Sequence, residues 1–148
     1  MNNLFYNIFF LLILVNPIFS NDLDYPVIAN YSISVTASSS ADYTLSGTDL
    51  NGTVSGNDPD LTFNVGDQIT FSVNASGHPF YLKTVAGTGT DNLVSGVTNN
   101  GTENGNVVWT PSAAGTYYYQ CSDHAGMVGT ITIKNDVSES KVYTATFT

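Results

Sequence analysis

The chain has no arginine, three lysines and a single cysteine. Twelve Asp and Glu outnumber those cations and bring the formal charge to -9, which argues against a nucleic-acid partner, because neutralising phosphates takes clustered Lys and Arg. The same balance favours solubility and can steer a domain toward basic partners. One cysteine excludes an intrachain disulfide framework, and in an oxidising compartment a lone thiol is a liability unless it is buried or bound.

The first twenty residues differ from the rest. An apolar run from Ile8 to Val15 precedes Asn16-Pro17 and the small residue Ser20, the layout of a secretory signal peptide, although the segment before the run carries no Lys or Arg. The run is short for a bilayer span, so a membrane association would require this segment to stay uncleaved. The expected organisation is a signal peptide at residues 1–20, one domain at residues 21–134, and a tail or extra edge strand at residues 135–148, where KVYTATFT alternates. Once the leader is removed, about 120 residues remain, enough for one sandwich core.

Within the domain, apolar residues alternate with polar ones and do not recur at helical spacing. Tyr31, Ile33 and Val35 alternate; so do Leu61, Phe63 and Val65, and, after the turn pair Gly66-Asp67, Ile69, Phe71 and Val73. Further strands are predicted at Tyr43 to Leu45, Phe80 to Thr84, Val107 to Thr110, Thr116 to Cys121 and Val128 to Ile133. About eight short strands, each able to bury one face, predict an all-β Greek-key sandwich of two antiparallel sheets. Ser46 to Pro59 and Ala86 to Gly105, crowded with Gly, Asn, Asp and Thr, are predicted as long surface loops.

The chemistry is concentrated in YYYQCSDHAGMVG, where Cys121, His124 and Met127 fall within one short loop between two predicted strands. A turn after Cys121 can bring His124 and Met127 back toward its sulfur. The only other histidine, His78, follows the strand ending at Val73 and precedes Pro79-Phe80; loops gathered at one end of a sandwich can bring it to the same point. Taken singly, these residues read as a buried inert thiol, two rim histidines and a core methionine. Together, a thiolate, two imidazoles and a weak thioether suit a copper ion cycling between Cu(I) and Cu(II). Zinc would accept the first three, but a closed zinc site takes a fourth strong ligand, which a thioether does not supply.

The stretch YYYQCSDHAGMVGTITI resembles the final strand, ligand loop and closing strand of the plastocyanin and amicyanin group of cupredoxins, and VGDQITFSVN followed by GHPF resembles the strand leading to that group's first histidine. The resemblance covers roughly Leu61 to Ile133. It implies one type 1 copper with His78, Cys121 and His124 in a trigonal plane and Met127 axial. The two-residue spacing between His124 and Met127 is more similar to amicyanin. Three positions depart from the pattern: Asp123 stands where Pro is frequent, Gln120 where plastocyanin has an aromatic residue, and Pro79 where Asn is common. Asn74 or Ser76 is then expected to supply the hydrogen bond that this Asn makes. The resemblance also implies that His124 reaches the surface through an apolar patch, for which Pro79, Phe80, Ala125 and Gly126 are the candidates.

The resulting expectation is a monomeric one-electron carrier outside the cytoplasm (periplasmic, thylakoid-lumenal or extracellular), not an enzyme, that works with a redox partner protein. Two alternatives use the same residues: a copper carrier, and an extracellular or particle-surface module in which the metal is structural or absent. Sequons at Asn30, Asn51, Asn74 and Asn100 bear on surface chemistry only in a host that glycosylates, and a glycan at Asn74 would crowd His78.

Overall fold

The computed structural model describes residues 27–136. The leader expected at residues 1–20 lies outside the described residues, as does the tail beyond Asp136; Asn135 and Asp136 themselves are irregular. Nine strands are described: β1 (Asn30–Thr36), β2 (Thr44–Asp49), β3 (Gly52–Asn57), β4 (Leu61–Asn64), β5 (Gln68–Asn74), β6 (Phe80–Lys83), β7 (Asn104–Trp109), β8 (Gly115–Cys121) and β9 (Val128–Lys134). They form a five-stranded sheet in the order β3-β2-β1-β5-β7 and a four-stranded sheet in the order β4-β9-β8-β6. No helix among the described residues is long and apolar enough to cross a membrane.

Alternation decides which faces meet. Ile33, Val35, Leu45, Ile69, Phe71, Val73, Val107 and Trp109 from the first sheet are buried, as are Leu61, Phe63, Phe80, Leu82, Tyr119, Cys121, Ile131 and Ile133 from the second. They join one hydrophobic core between the sheets. Each large apolar side chain fully removed from water contributes about 1.5–3 kcal/mol, so this shared layer dominates the stability of the fold.

Two expectations are corrected. The sheets are mixed: β1 pairs with β5 in parallel, Ile33 opposite Phe71, and β4 pairs with β9 in parallel, Phe63 opposite Ile133. The chain leaves the first sheet after β3, contributes β4 to the second and returns as β5, so β1 and β5 run in the same direction. The stretch Ser46 to Pro59 is largely a hairpin, β2 and β3 joined at Leu50-Asn51. Its alternation is carried by small residues. Gly47 faces the β1 backbone so closely that a Cβ there would collide with the Ser32 carbonyl, which explains why the apolar alternation begun at Leu45 is not continued at position 47. Asp49 closes the turn: one carboxylate oxygen accepts the Asn51 amide at 2.8 Å and the other the Thr62 amide at 2.8 Å, tying the hairpin to β4.

The turn pair Gly66-Asp67 is where it was predicted. Gly66 takes the left-handed conformation (φ 91°), and buried Asp67 accepts the amides of Ala29 and Asn64 at 2.9 and 2.7 Å. The Ala86 to Gly105 stretch is irregular apart from the first two residues of β7 and the isolated bridges Lys83 with Leu93 and Thr98 with Val108.

Candidate metal centre

Register brings the donors together. Phe80 at the start of β6 pairs with Cys121 at the end of β8, so the corner carrying His78 abuts the point where β8 gives way to the 122–127 loop. Cys121 follows Tyr119 at the strand period of two and, like it, is fully buried. The chain then turns back on itself: the Cys121 amide donates to the Met127 carbonyl at 3.0 Å and the Met127 amide to the His124 carbonyl at 3.2 Å. Met127 is fully buried, while His78 and His124 are half-buried.

The Nδ1 atoms of His78 and His124 lie 3.1 Å apart, Cys121 Sγ lies 3.4 Å from His124 Nδ1, and the three donor atoms fall within 4.8 Å of one another. His124 Nδ1 thus faces two electron-rich neighbours at once. A ring nitrogen holds either one proton or one lone pair, so a single hydrogen bond cannot satisfy both contacts. A cation at their centre does. Nitrogens about 2.0–2.1 Å and a sulfur about 2.3 Å from a common ion stand a little over 3 Å from one another, and the two contacts of His124 Nδ1, at 3.1 and 3.4 Å, have that spacing. The donor chemistry, one thiolate and two imidazoles with a buried thioether carried on the same loop, suits type 1 copper.

The His78 corner is fixed from a distance. The Tyr43 hydroxyl reaches the carbonyls of His78 and Pro79, each at 3.0 Å. Burial, followed by the neighbouring Cys121, raises the Tyr43 pKa far above the usual phenol value, so the hydroxyl keeps its proton and remains a donor. Glu103 takes the Gly77 amide on its carboxylate at 2.7 Å and the Ala75 amide on its backbone carbonyl at 2.9 Å, and the His78 amide closes the turn onto the Ala75 carbonyl at 2.9 Å.

The ligand loop is fixed from its own flank. The Gln120 side-chain nitrogen lies 3.2, 3.1 and 3.1 Å from the carbonyls of Cys121, His124 and Met127. A second brace comes from Lys83, whose buried ammonium is caged by the carbonyls of Gly87, Thr88 and Gly89. That segment in turn donates the Gly89 amide to the Ser122 carbonyl at 2.7 Å.

All four residues singled out in the sequence therefore lie at one end of the sandwich, and the three nitrogen and sulfur donors converge. Two subsidiary expectations fail. Asn74 and Ser76 are exposed, and among the described side-chain hydrogen bonds neither takes part; Tyr43 and Glu103 hold the corner instead. Phe80 does not join a surface patch. It is fully buried, 5.2 Å from the Tyr43 ring and stacked on Tyr119 at 5.5 Å, because β6 starts there facing inward. Half-buried Pro79 and exposed Ala125 and Gly126 are what remains of that patch. Sequence reasoning missed Tyr43, Lys83 and Glu103, and it marked Gln120 only as a departure from a pattern. Their partners are backbone groups, which leave no trace in residue identity.

No family model and no curated protein matches the chain. Among solved structures, one of the copper protein rusticyanin aligns over 74% of this chain and 80% of its own, with a TM-score of 0.50 and 18% identity. Rusticyanin from Thiobacillus ferrooxidans covers 74% of this chain and 80% of its own, at a TM-score of 0.48 and 19% identity. A purple cupredoxin from Nitrosopumilus maritimus covers 70% of this chain and 98% of its own, at 0.43 and 23%. At such identities the likeness establishes the fold: this is a cupredoxin-like β-sandwich.

Proposed function

We propose that the chain binds one copper ion through His78, Cys121, His124 and Met127 and acts as a one-electron carrier outside the cytoplasm. The observation that carries this reading is the convergence of His78, Cys121 and His124, with His124 Nδ1 3.1 Å from His78 Nδ1 and 3.4 Å from Cys121 Sγ. Bound copper would supply a single-electron couple between Cu(I) and Cu(II). The chain's part is to hold the donors in one arrangement for both oxidation states, to keep water from the sulfur and to offer a surface for electron exchange.

Burial of Cys121 and Met127 serves the second task, and the half-buried histidines beside exposed Ala125 and Gly126 serve the third. Asp123, exposed next to His124, favours a redox partner with a basic contact face. An apolar leader-like segment supports export, and the work of a carrier supports a monomer that docks briefly. Bracing of the donors by Gln120, Lys83, Tyr43 and Glu103 favours a centre that retains its ion over one that hands it on.

The deciding experiment adds Cu(II) to the purified protein and to its Cys121→Ser variant and records the visible spectrum. An intense thiolate-to-copper band in the wild type that vanishes in the variant is the expected result. A wild-type protein that folds, stays colourless and retains no copper refutes the assignment and turns the reading to a metal-free surface module.

A further inference from the structure

We propose that Gln120 is the positioning residue of this centre: its side-chain amide holds the Cys121–Met127 loop in its ligating shape before any metal arrives. The inference rests on the copper reading for its consequence but not for its geometry.

On β8, Tyr119 and Cys121 face the core, so Gln120 points to the opposite side of the sheet, between its ladder neighbours Tyr81 and Val128. A glutamine on an outer face is ordinarily solvated. Gln120 is only 1% exposed, because the ligand loop folds back over it.

Its nitrogen meets three carbonyl oxygens, those of Cys121, His124 and Met127, at 3.1–3.2 Å. Only a donor can occupy that point, so the amide nitrogen and not its oxygen must face the loop, and its two protons are shared among three acceptors. The three carbonyls belong to the three donor residues carried by the loop, so one side chain fixes the backbone of the whole contiguous part of the ligand set. Among the described residues no other side chain donates to a carbonyl between Cys121 and Met127. An aromatic residue could not make these bonds, and a carboxylate would be repelled by all three oxygens. The departure at position 120 therefore has a positive role: it replaces stiffness in a loop that has Asp123 where a proline would restrict the backbone.

Hydrogen exchange in the metal-free protein tests this directly. The chain has two glutamines, and exposed Gln68 is the internal reference. The side-chain amide protons of Gln120 are expected to exchange at least about ten-fold more slowly than those of Gln68; equal rates overturn the proposal without any variant. In Gln120→Met, which keeps the length but removes the donors, the Cys121 and Met127 amides are expected to exchange at least about ten-fold faster while those of Phe71 and Val107 are unchanged. Copper affinity is expected to fall about 10–100-fold, with a shift in the thiolate-to-copper band. Exchange and affinity within about threefold of wild type, with an unmoved band, overturn it. The two readings separate cleanly: slow Gln120 exchange in a protein that never develops the band removes the copper assignment alone, and a band with unprotected Gln120 removes the clamp alone.

Discussion

The Cys121–Met127 loop and the His78 corner deliver donors to the same point but are held in opposite ways. The loop is fixed by its immediate neighbour, Gln120, one to seven positions away in sequence. The corner is fixed by Tyr43, 35 positions from His78, and by Glu103, 26 positions from Gly77. Local clamps cost little chain entropy to close, whereas long-range ones exist only once the intervening strands have found their places. The loop's shape is thus set chiefly by its own flank, with one long-range tie from the Lys83-held segment through the Gly89 amide to the Ser122 carbonyl, whereas the corner's is a property of the entire sandwich. The Gln120 hydrogen bonds and those of Tyr43 and Glu103 share no residue, so a copper held by His78, Cys121 and His124 would join two separately braced parts.

The largest effect that can break the comparison is removal of a donor from either side. His78→Ala and His124→Ala are each expected to lower copper affinity by more than about 100-fold, beyond the 10–100-fold typical of residues that only support a ligand. Isothermal titration of both variants checks this. If His78→Ala retained wild-type affinity, the corner would not belong to the centre, and the loop alone would have to account for any copper bound.

Next in size is Tyr43→Phe, which removes the hydroxyl that serves the His78 and Pro79 carbonyls while leaving the ring contacts with Phe80 and Tyr119 in place. A loss of about 1–3 kcal/mol in denaturant unfolding is expected, the cost of leaving buried acceptors unserved. Amide exchange should quicken at His78 and stay unchanged at Cys121 and Met127. Exchange rising equally in both regions would mean that loop and corner are one cooperative unit, and the contrast between them would fail.

The same contrast explains what the sequence made legible. Cys121, His124 and Met127 stand within one short stretch, so their spacing announced the loop, and His78 was found only because the chain holds no third histidine. Alternation located most strands and the start of β2 at Thr44-Leu45, but not the rest of the β2–β3 hairpin, where Gly47 and Gly56 take positions that apolar residues usually mark. The parallel pairing of β1 with β5 was invisible because nothing in either strand encodes its neighbour. Gln120, Tyr43, Lys83 and Glu103 all act on backbone atoms, which every residue possesses, so their roles emerged only from the folded arrangement.

The smallest expected effect concerns the support beneath Tyr43. Asp58 and Tyr43 are tied twice: the Asp58 amide donates to the Tyr43 carbonyl at 2.9 Å, and the Asp58 carboxylate accepts the Tyr43 amide at 3.0 Å. Burial, reinforced by nearby Asp42 and opposed by the Tyr43 amide, pushes the Asp58 pKa up to about 6. An unfolded aspartate titrates near ~3.9. Between those values the folded chain binds the additional proton, so this group's stabilisation is complete below about pH 4 and is lost as the pH rises to about 6. Because Asp58 is partly solvated, screening reduces the effect to about 1 kcal/mol or less. Asn at this position retains the acceptor oxygen and does not titrate. The difference in unfolding free energy between wild type and Asp58→Asn should therefore shift against the wild type from pH 4 to pH 6 and level off above. A difference that is flat across that range would show that Asp58 holds Tyr43, and through it the His78 corner, without any cost of ionisation.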